Sequence, residues 1–280
     1  MARHDAAPDT AQRSLGHWSE AGRAGMQAFY TLATEDYRRL AAARDWAADL
    51  RTRATDGHLR LLDVACGGGK FPAALLAAGL PAAARDLTVT VDLLDPSAFS
   101  IAEARAVLAA PFEAGAEYEI ALQDFDGRAR YDVAWATHAL YALPPAELAG
   151  GVTRMITALR PGGFGAIAQA SAASHYLAFY DAYRATYAAD ITPYTGAEAV
   201  TAALTAAGAD VAIQRLRYRT GSADRVVIEG FLQRCAFDDT VSLARMESEG
   251  PLAEYLARCR APDGGYLFEH EAYLLTWEHV

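Results

Sequence analysis

The chain is poor in lysine, in cysteine and in long apolar runs, and each shortage removes a class of function. Lys70 is the only lysine, so the remaining basic residues are arginines, and they are outnumbered: Lys plus Arg total 25 against 35 Asp plus Glu, a net charge of -10. Neutralising a nucleic-acid backbone needs clustered cations, and none are clustered here, so no nucleic-acid partner is expected. Cys66, Cys235 and Cys259 are an odd, scattered set without paired metal-ligand spacing. They read as reduced thiols of a cytoplasmic protein, with no disulfide framework and no bound metal. No apolar stretch reaches the roughly 18 residues of a spanning helix, and no export signal opens the chain, so no membrane partner is expected.

What the chain does have is apolar content sufficient for a sizeable core, 52% hydrophobic over 280 residues, and one dense glycine turn. Leu61-Leu62-Asp63-Val64 reads as a buried parallel strand, and Ala65-Cys66-Gly67-Gly68-Gly69 as a turn whose backbone can approach a ligand closely. A dinucleotide fingerprint would place a third glycine where Pro72 stands. A phosphate loop would place a glycine at Val64 and a hydroxyl at Phe71. What remains is an acid followed by small residues at alternate positions, Asp63, Ala65, Gly67 and Gly69. This pattern resembles the first motif of class I S-adenosylmethionine (AdoMet)-dependent methyltransferases. The resemblance implies that Asp63 orients the methionine ammonium and that Ala65, Cys66, Gly67 and Gly69 admit the methionine and ribose.

Later landmarks follow in the order that resemblance requires. A β-branched run over 88–94 predicts a second strand ending at Asp95, one βαβ unit after Asp63. The resemblance assigns the ribose hydroxyls to Asp95, with Pro96 and Ser97 beside it; the alternative is a helix-capping acid before Ser97 and the amphipathic stretch 101–108, and one residue can do both. A short third strand is expected over 118–122, running into Gln123-Asp124-Phe125, where the family places an adenine-amine acceptor, Asp124, beside an apolar base contact, Phe125. An exposed turn acid is the alternative. A fourth strand over 131–137, the turn Leu159-Arg160-Pro161-Gly162-Gly163 and a fifth strand over 165–171 complete the series. The fold class implied is α/β: a Rossmann-like, seven-stranded class I methyltransferase sheet, mostly parallel with the last strand antiparallel, carrying a helical N-terminal cap and inserted substrate-binding helices.

Around that core, residues 1–14 are expected to be frayed and 15–55 to form the cap. Residues 56–280 make the methyltransferase domain, with a substrate-lining insert at about 172–195, a helical segment at about 223–260, a sixth strand over 211–218 and a last strand over 266–277. Three- and four-residue spacing puts Tyr176, Phe179, Tyr180, Tyr183 and Tyr187 on one helical face. Such a stripe suits a core, or a pocket for a flat or cationic guest held by stacking and cation-π attraction.

Read together, Leu94-Asp95-Pro96-Ser97-Ala98, Thr137-His138-Ala139-Leu140-Tyr141 and Gly265-Tyr266-Leu267-Phe268-Glu269-His270 are similar to the histamine N-methyltransferase group. The likeness implies substrate contacts at His138, His270 and Glu20, cofactor contacts at Ser100, Thr137 and His138, and a substrate wall that includes Trp18, Tyr30, Tyr141, Tyr176, Phe179, Tyr180 and Tyr183. All three polar substrate positions differ from that group, so histamine itself is not expected. Thr137-His138-Ala139 also lacks the carboxylate of metal-dependent catechol methylation. The expected activity is methyl transfer from AdoMet to a small metabolite of specialised metabolism, an amine or aromatic compound, with His138 or Glu20 as base. Two alternatives stay open: O- or C-methylation of a phenolic or amino-acid-derived substrate, and a cyclase or ligand sensor that keeps the cofactor without methyl transfer. Oligomeric state is not encoded in any readable feature.

Overall fold

A computed structural model describes residues 10–280. Seven strands form one sheet: β1 (His58–Val64), β2 (Thr88–Leu94), β3 (Phe112–Tyr118), β4 (Tyr131–Thr137), β5 (Leu159–Ala170), β6 (Ala212–Ser222) and β7 (Tyr266–Glu278), in the order β3-β2-β1-β4-β5-β7-β6. β1 to β5 run parallel, and β7 lies antiparallel between β5 and β6. The class predicted from the sequence is the class observed. β1 and β4 end in unbroken buried runs because helices cover both faces at the sheet centre, whereas β3, at the edge, is mostly exposed.

The helices are α1 (Thr10–His17), α2 (Arg23–Ala41), α3 (Trp46–Arg53), α4 (Lys70–Ala77), α5 (Leu80–Ala83), α6 (Ala98–Val107), α7 (Pro145–Ala158), α8 (His175–Tyr187), α9 (Ala197–Ala206), α10 (Arg225–Ala236), α11 (Leu243–Met246) and α12 (Gly250–Arg258). One core packs Trp46, Leu50, Phe71, Ile101 and Trp135 on one sheet face; a second packs Val152, Met155, Val200, Leu204 and Trp277 on the other. A third lies among α8, α10, α11, α12 and β7, joined by Ala33 of α2. The chain runs outward from β1 to β3 and then returns to β4, so the order reverses between β1 and β4. Open α/β sheets leave a ligand crevice at the strand tips there.

Several segments differ from the sequence reading. β5 begins at Leu159 rather than 165, taking the expected turn at 159–163 into the strand as a register shift against β4, and β6 runs on to Ser222 rather than ending at 218. The third strand is 112–118 rather than 118–122; after Tyr118 the chain turns and closes a single 3-10 turn, Leu122–Asp124. Of the stretch 1–14 expected to fray, residues 1–9 lie outside the described residues, and Thr10 to Ser14 are helical. Their polar groups find buried partners: Thr10 Oγ1 pairs with the Tyr180 hydroxyl at 2.9 Å and Ser14 Oγ with the Tyr141 hydroxyl at 3.1 Å.

Candidate active site

At the tip of β1 the backbone enters the left-handed region at alternate residues, Ala65 (φ 49°), Gly67 (φ 51°) and Gly69 (φ 67°). The Cys66 N–H donates to the Leu94 carbonyl at 3.1 Å, which ties this turn to the tip of β2. Ala65, Cys66, Gly67 and Gly68 line a cavity of about 400 Å³ between the strand tips and the cap. Gly69, expected at the ligand, does not line it. Its glycine identity serves packing instead: a Cβ there would sit 2.9 Å from the Ala104 Cα, where α4 crosses α6. Gly67 and Gly68 are the two loop glycines that border the cavity.

Asp63 is buried, lines the cavity and has no hydrogen-bond partner at Oδ2. Burial pushes its carboxyl up to about 8; the neighbouring Trp135 indole pulls the other way, and the Asp95 charge raises it further. Asp95 is satisfied differently: Oδ2 accepts from the Gly67 N–H at 3.1 Å and Oδ1 from the Ser97 N–H at 2.9 Å. Burial raises it too, against those two N–H donors. Pro96 and Ser100 line the cavity. Ser97 does not; it accepts the Ser100 N–H at 3.2 Å as cap of α6 and donates to the Trp18 carbonyl at 3.1 Å, so the capping use of this segment holds.

Neither residue assigned to the adenine reaches the cavity. Asp124 points to solvent and Phe125 is buried against Tyr118, 5.1 Å between ring centroids. A 3-10 turn rotates successive side chains by about a third of a circle, which leaves Leu122 and Gln123 at the cavity. The donors and acceptors at this end fit AdoMet: an unpartnered buried oxygen on Asp63 suits an ammonium, two adjacent acids of like charge call for a cation, and the loop at Gly67 leaves open space where a Cβ would stand. Among the described residues no cluster of His, Cys, Asp and Glu is arranged to hold a metal.

The other end is walled by rings. Trp18, Phe29, Tyr30, Tyr37, Tyr141 and Tyr176 line it, with Tyr194 and Phe237 behind Tyr141. The Trp18 Nε1 donates to the Tyr141 hydroxyl at 2.7 Å, which pins the cap to the turn after β4. Thr137 and His138 close β4; His138 is itself left-handed (φ 52°), its N–H donates to the Ala168 carbonyl at 2.7 Å, and its ring meets Tyr37 edge-on at 5.6 Å. Burial lowers His138 to about 4, so the imidazole is neutral at physiological pH.

Three expectations for this end are corrected. Of the stripe on α8, only Tyr176 lines the cavity; Phe179, Tyr180 and Tyr183 are buried in the core, because α10 and α12 cover α8 beyond its first turn. Glu20 sits in an exposed 3-10 turn, paired with Arg23 at 2.8 Å, and faces solvent rather than the cavity. His270 lies behind the wall: its Nε2 pairs with Thr220 Oγ1 at 2.8 Å and its ring stacks on Tyr218 at 5.0 Å, next to Tyr176 at 4.9 Å. Burial lowers it to about 3.

Several polar residues that line the cavity, Ser14, Asp36, Gln123, Gln169 and Arg234, were not among the residues expected from the sequence, and two of them stand out. Asp36 is buried on α2, and its Oδ2 accepts from the Tyr176 hydroxyl at 2.5 Å. Its signal was an acid in an otherwise apolar stripe, with Ala33 and Leu40 the other buried positions of that helix face. Gln169, buried on β5, donates from Nε2 to the Thr195 carbonyl at 2.7 Å. It interrupts a run of small and apolar residues in the same way.

Comparison with known proteins adds a family. The family model described as AdoMet dependent proline di-methyltransferase matches residues 19–186, more than half of the chain. No curated protein matches by sequence. Among solved structures, a putative methyltransferase of Bacillus halodurans superposes with a TM-score of 0.56 at 16% identity, over 84% of this chain and 98% of that one. Magnesium protoporphyrin IX methyltransferase of Synechocystis, crystallised with AdoMet, superposes with a TM-score of 0.54 at 13% identity, over 99% and 100%. At such identities these structures share the fold.

Proposed function

Because the chain belongs to the family of AdoMet-dependent proline di-methyltransferases, and is thus an AdoMet-dependent methyltransferase, we propose that its acceptor is a nitrogen on a small metabolite held inside the cavity. The observation that carries this reading is the cavity itself: one space of about 400 Å³ reaches from the Asp63 carboxyl to the aromatic wall. That volume suits a small molecule. The family's description names dimethylation of proline, whose basic group is an amine nitrogen, and the looser likeness to histamine N-methyltransferases also favours nitrogen.

When bound, AdoMet supplies a methyl group that is already electrophilic, so most of the catalysis is positioning. Asp63 would hold the methionine ammonium and Asp95 the ribose hydroxyls, and Gly67 and Gly68 would let the backbone come close. Pro96, Ser100, Leu122 and Gln123 border the nucleoside, and Thr137 and His138 stand where the two halves of the cavity meet. The rings of Trp18, Tyr30, Tyr37, Tyr141 and Tyr176 exclude water and orient the acceptor. An amine must lose its proton before attack, and the neutral His138 imidazole, whose nitrogens have no partner among the described residues, can receive it. The same neutral ring favours a second reading, deprotonation of a phenol for O-methylation.

The net charge and the three free cysteines support a cytoplasmic enzyme without a nucleic-acid partner. A setting in specialised metabolism accords with the departures from the histamine-methylating pattern. The test is release of S-adenosylhomocysteine (AdoHcy) against a panel of amines, phenols and amino acids. Turnover of amines supports the proposal; turnover of phenols alone moves the acceptor to oxygen. Silence across the panel with tight AdoHcy binding overturns methyl transfer in favour of a cyclase or sensor.

A further inference from the structure

At the acceptor end of the cavity two buried hydrogen-bond acceptors lack a partner, against one buried donor, Arg234 Nε, whose guanidinium otherwise donates to the His17 and Gly22 carbonyls. Asp36 Oδ1 and Gln169 Oε1 both lack a partner, although both residues are almost fully buried and both line the cavity. Asp36 is the more costly of the two. A buried carboxyl normally carries a cation, yet among the described residues no arginine, lysine or histidine pairs with it; the nearby Arg38 and Arg39 are taken by the adjacent Glu35. Tyr176 bonds its other oxygen, and burial still holds it at about 7, with the Tyr176 and Tyr218 hydroxyls favouring the charge and Glu35 opposing it. A buried acid kept without a counter-charge beside an open cavity marks a place where the counter-charge comes from a ligand.

We infer that Asp36, with Gln169 and the rings of Tyr37 and Tyr176, anchors a cationic ammonium group of the methyl acceptor; the Tyr30 ring already carries the Lys70 ammonium, 4.5 Å from its centroid. Tyr30 and Tyr37 follow one another on α2, 6.3 Å between centroids, and Tyr37 touches the His138 ring, so the anchor lies on the wall that adjoins the strand tip. Ring faces and a carboxylate together suit an alkylammonium better than a neutral alcohol or an anion. This rests on the reading that the cavity takes a small-molecule acceptor, and it narrows the acceptor to compounds that carry a basic nitrogen. The anchored nitrogen is either the one methylated or a second one on the same molecule.

The test uses matched probes, three aryl-alkyl amines of increasing length and the corresponding alcohols, titrated by calorimetry into the AdoHcy-saturated protein. Wild type is expected to prefer amine over alcohol by about tenfold or more for at least one pair, the effect of one buried charge partner. Asp36→Asn should remove that preference while leaving AdoHcy affinity and melting temperature within error. Tyr176→Phe, which keeps the carboxylate and removes a competing donor, should retain the preference. Equal binding of amines and alcohols by wild type, or a preference that survives Asp36→Asn, overturns the anchor. Failure of AdoHcy to bind at all would instead sink the underlying methyltransferase reading, and is detected in the first titration.

Discussion

The two ends of the cavity are built by different means. At the strand tips, a short run of consecutive residues from Asp63 to Gly68 and another from Asp95 to Pro96 make much of the surface, and backbone geometry does much of the shaping: two left-handed residues, Ala65 and Gly67, and two N–H groups that occupy Asp95. At the acceptor end, Trp18, Tyr30, Asp36, His138, Gln169, Tyr176 and Phe237 come from positions spread over two hundred residues and meet only through tertiary packing. The first end is therefore suited to a constant ligand. The second can change guest by changing single side chains, and substitutions at the two ends should separate into effects on cofactor affinity and effects on acceptor choice.

The strongest way to break that separation is Asp63→Asn. Loss of the charge opposite the methionine ammonium should weaken AdoHcy binding by about 2–3 kcal/mol, roughly 30- to 150-fold, in calorimetry. Stability should move the other way. Burial raises the folded carboxyl to about 8 from its ordinary 3.8, so in the ligand-free protein its ionisation opposes folding increasingly as pH climbs through that window. A neutral amide escapes this cost, and the ligand-free variant at pH 8 should melt no lower than wild type. A variant that loses stability and keeps its AdoHcy affinity would make Asp63 a structural acid. Asp95→Ala, by contrast, should lower both, since its carboxylate also anchors Gly67 and Ser97; about 1–3 kcal/mol of affinity is expected to go.

The same contrast explains what the sequence disclosed. The glycine turn, the acid ending β2 and the order of the strands are local patterns, and β2, β4 and the antiparallel β7 lie where periodicity put them. Asp124 and Phe125 were misassigned because a three-residue 3-10 turn, invisible to hydrophobic alternation, decides which of Leu122, Gln123, Asp124 and Phe125 faces inward. Phe179, Tyr180 and Tyr183 were misassigned for a tertiary reason: helical spacing reports a shared face but not what covers it, and α10 and α12 cover this one. Glu20 was chosen by motif likeness, and no local rule distinguishes a solvated carboxylate there from a ligating one. Asp36 was legible in principle as an acid in an apolar stripe.

His138 tests whether the acceptor end is as dry as its geometry suggests. Burial lowers its folded value to about 4 from 6.5, so the unfolded chain takes up a proton before the folded one does. Its contribution to stability is complete above pH 6.5 and is lost as pH falls from there towards 4. His138→Gln should remove about 2 kcal/mol of the stability lost between pH 7.5 and 4.5 in urea unfolding, a figure reduced for the water the cavity admits. His270 titrates in the same direction behind the wall and is lowered further by charge on His138, so the double variant should depart from additivity. An unchanged acid limb in His138→Gln would mean that solvent reaches the imidazole freely, and the closed cavity on which a small-molecule acceptor depends would then be open.

The smallest expected effect sharpens the comparison most, because it concerns backbone alone. Ala65 stands in a left-handed conformation that costs an alanine about 1 kcal/mol, at the position where the motif usually has glycine. Ala65→Gly relieves that strain but frees the unfolded chain by a similar amount, about 0.4–1 kcal/mol, so the melting temperature should shift by no more than about 2 °C in either direction. AdoHcy affinity should stay within about twofold, since the turn already has the conformation glycine would adopt and neighbouring Gly67 and Gly68 supply the close approach. A tenfold gain in affinity would reveal that the Ala65 methyl crowds the cofactor, and the strand-tip end would then owe its fit to a side chain, as the acceptor end does.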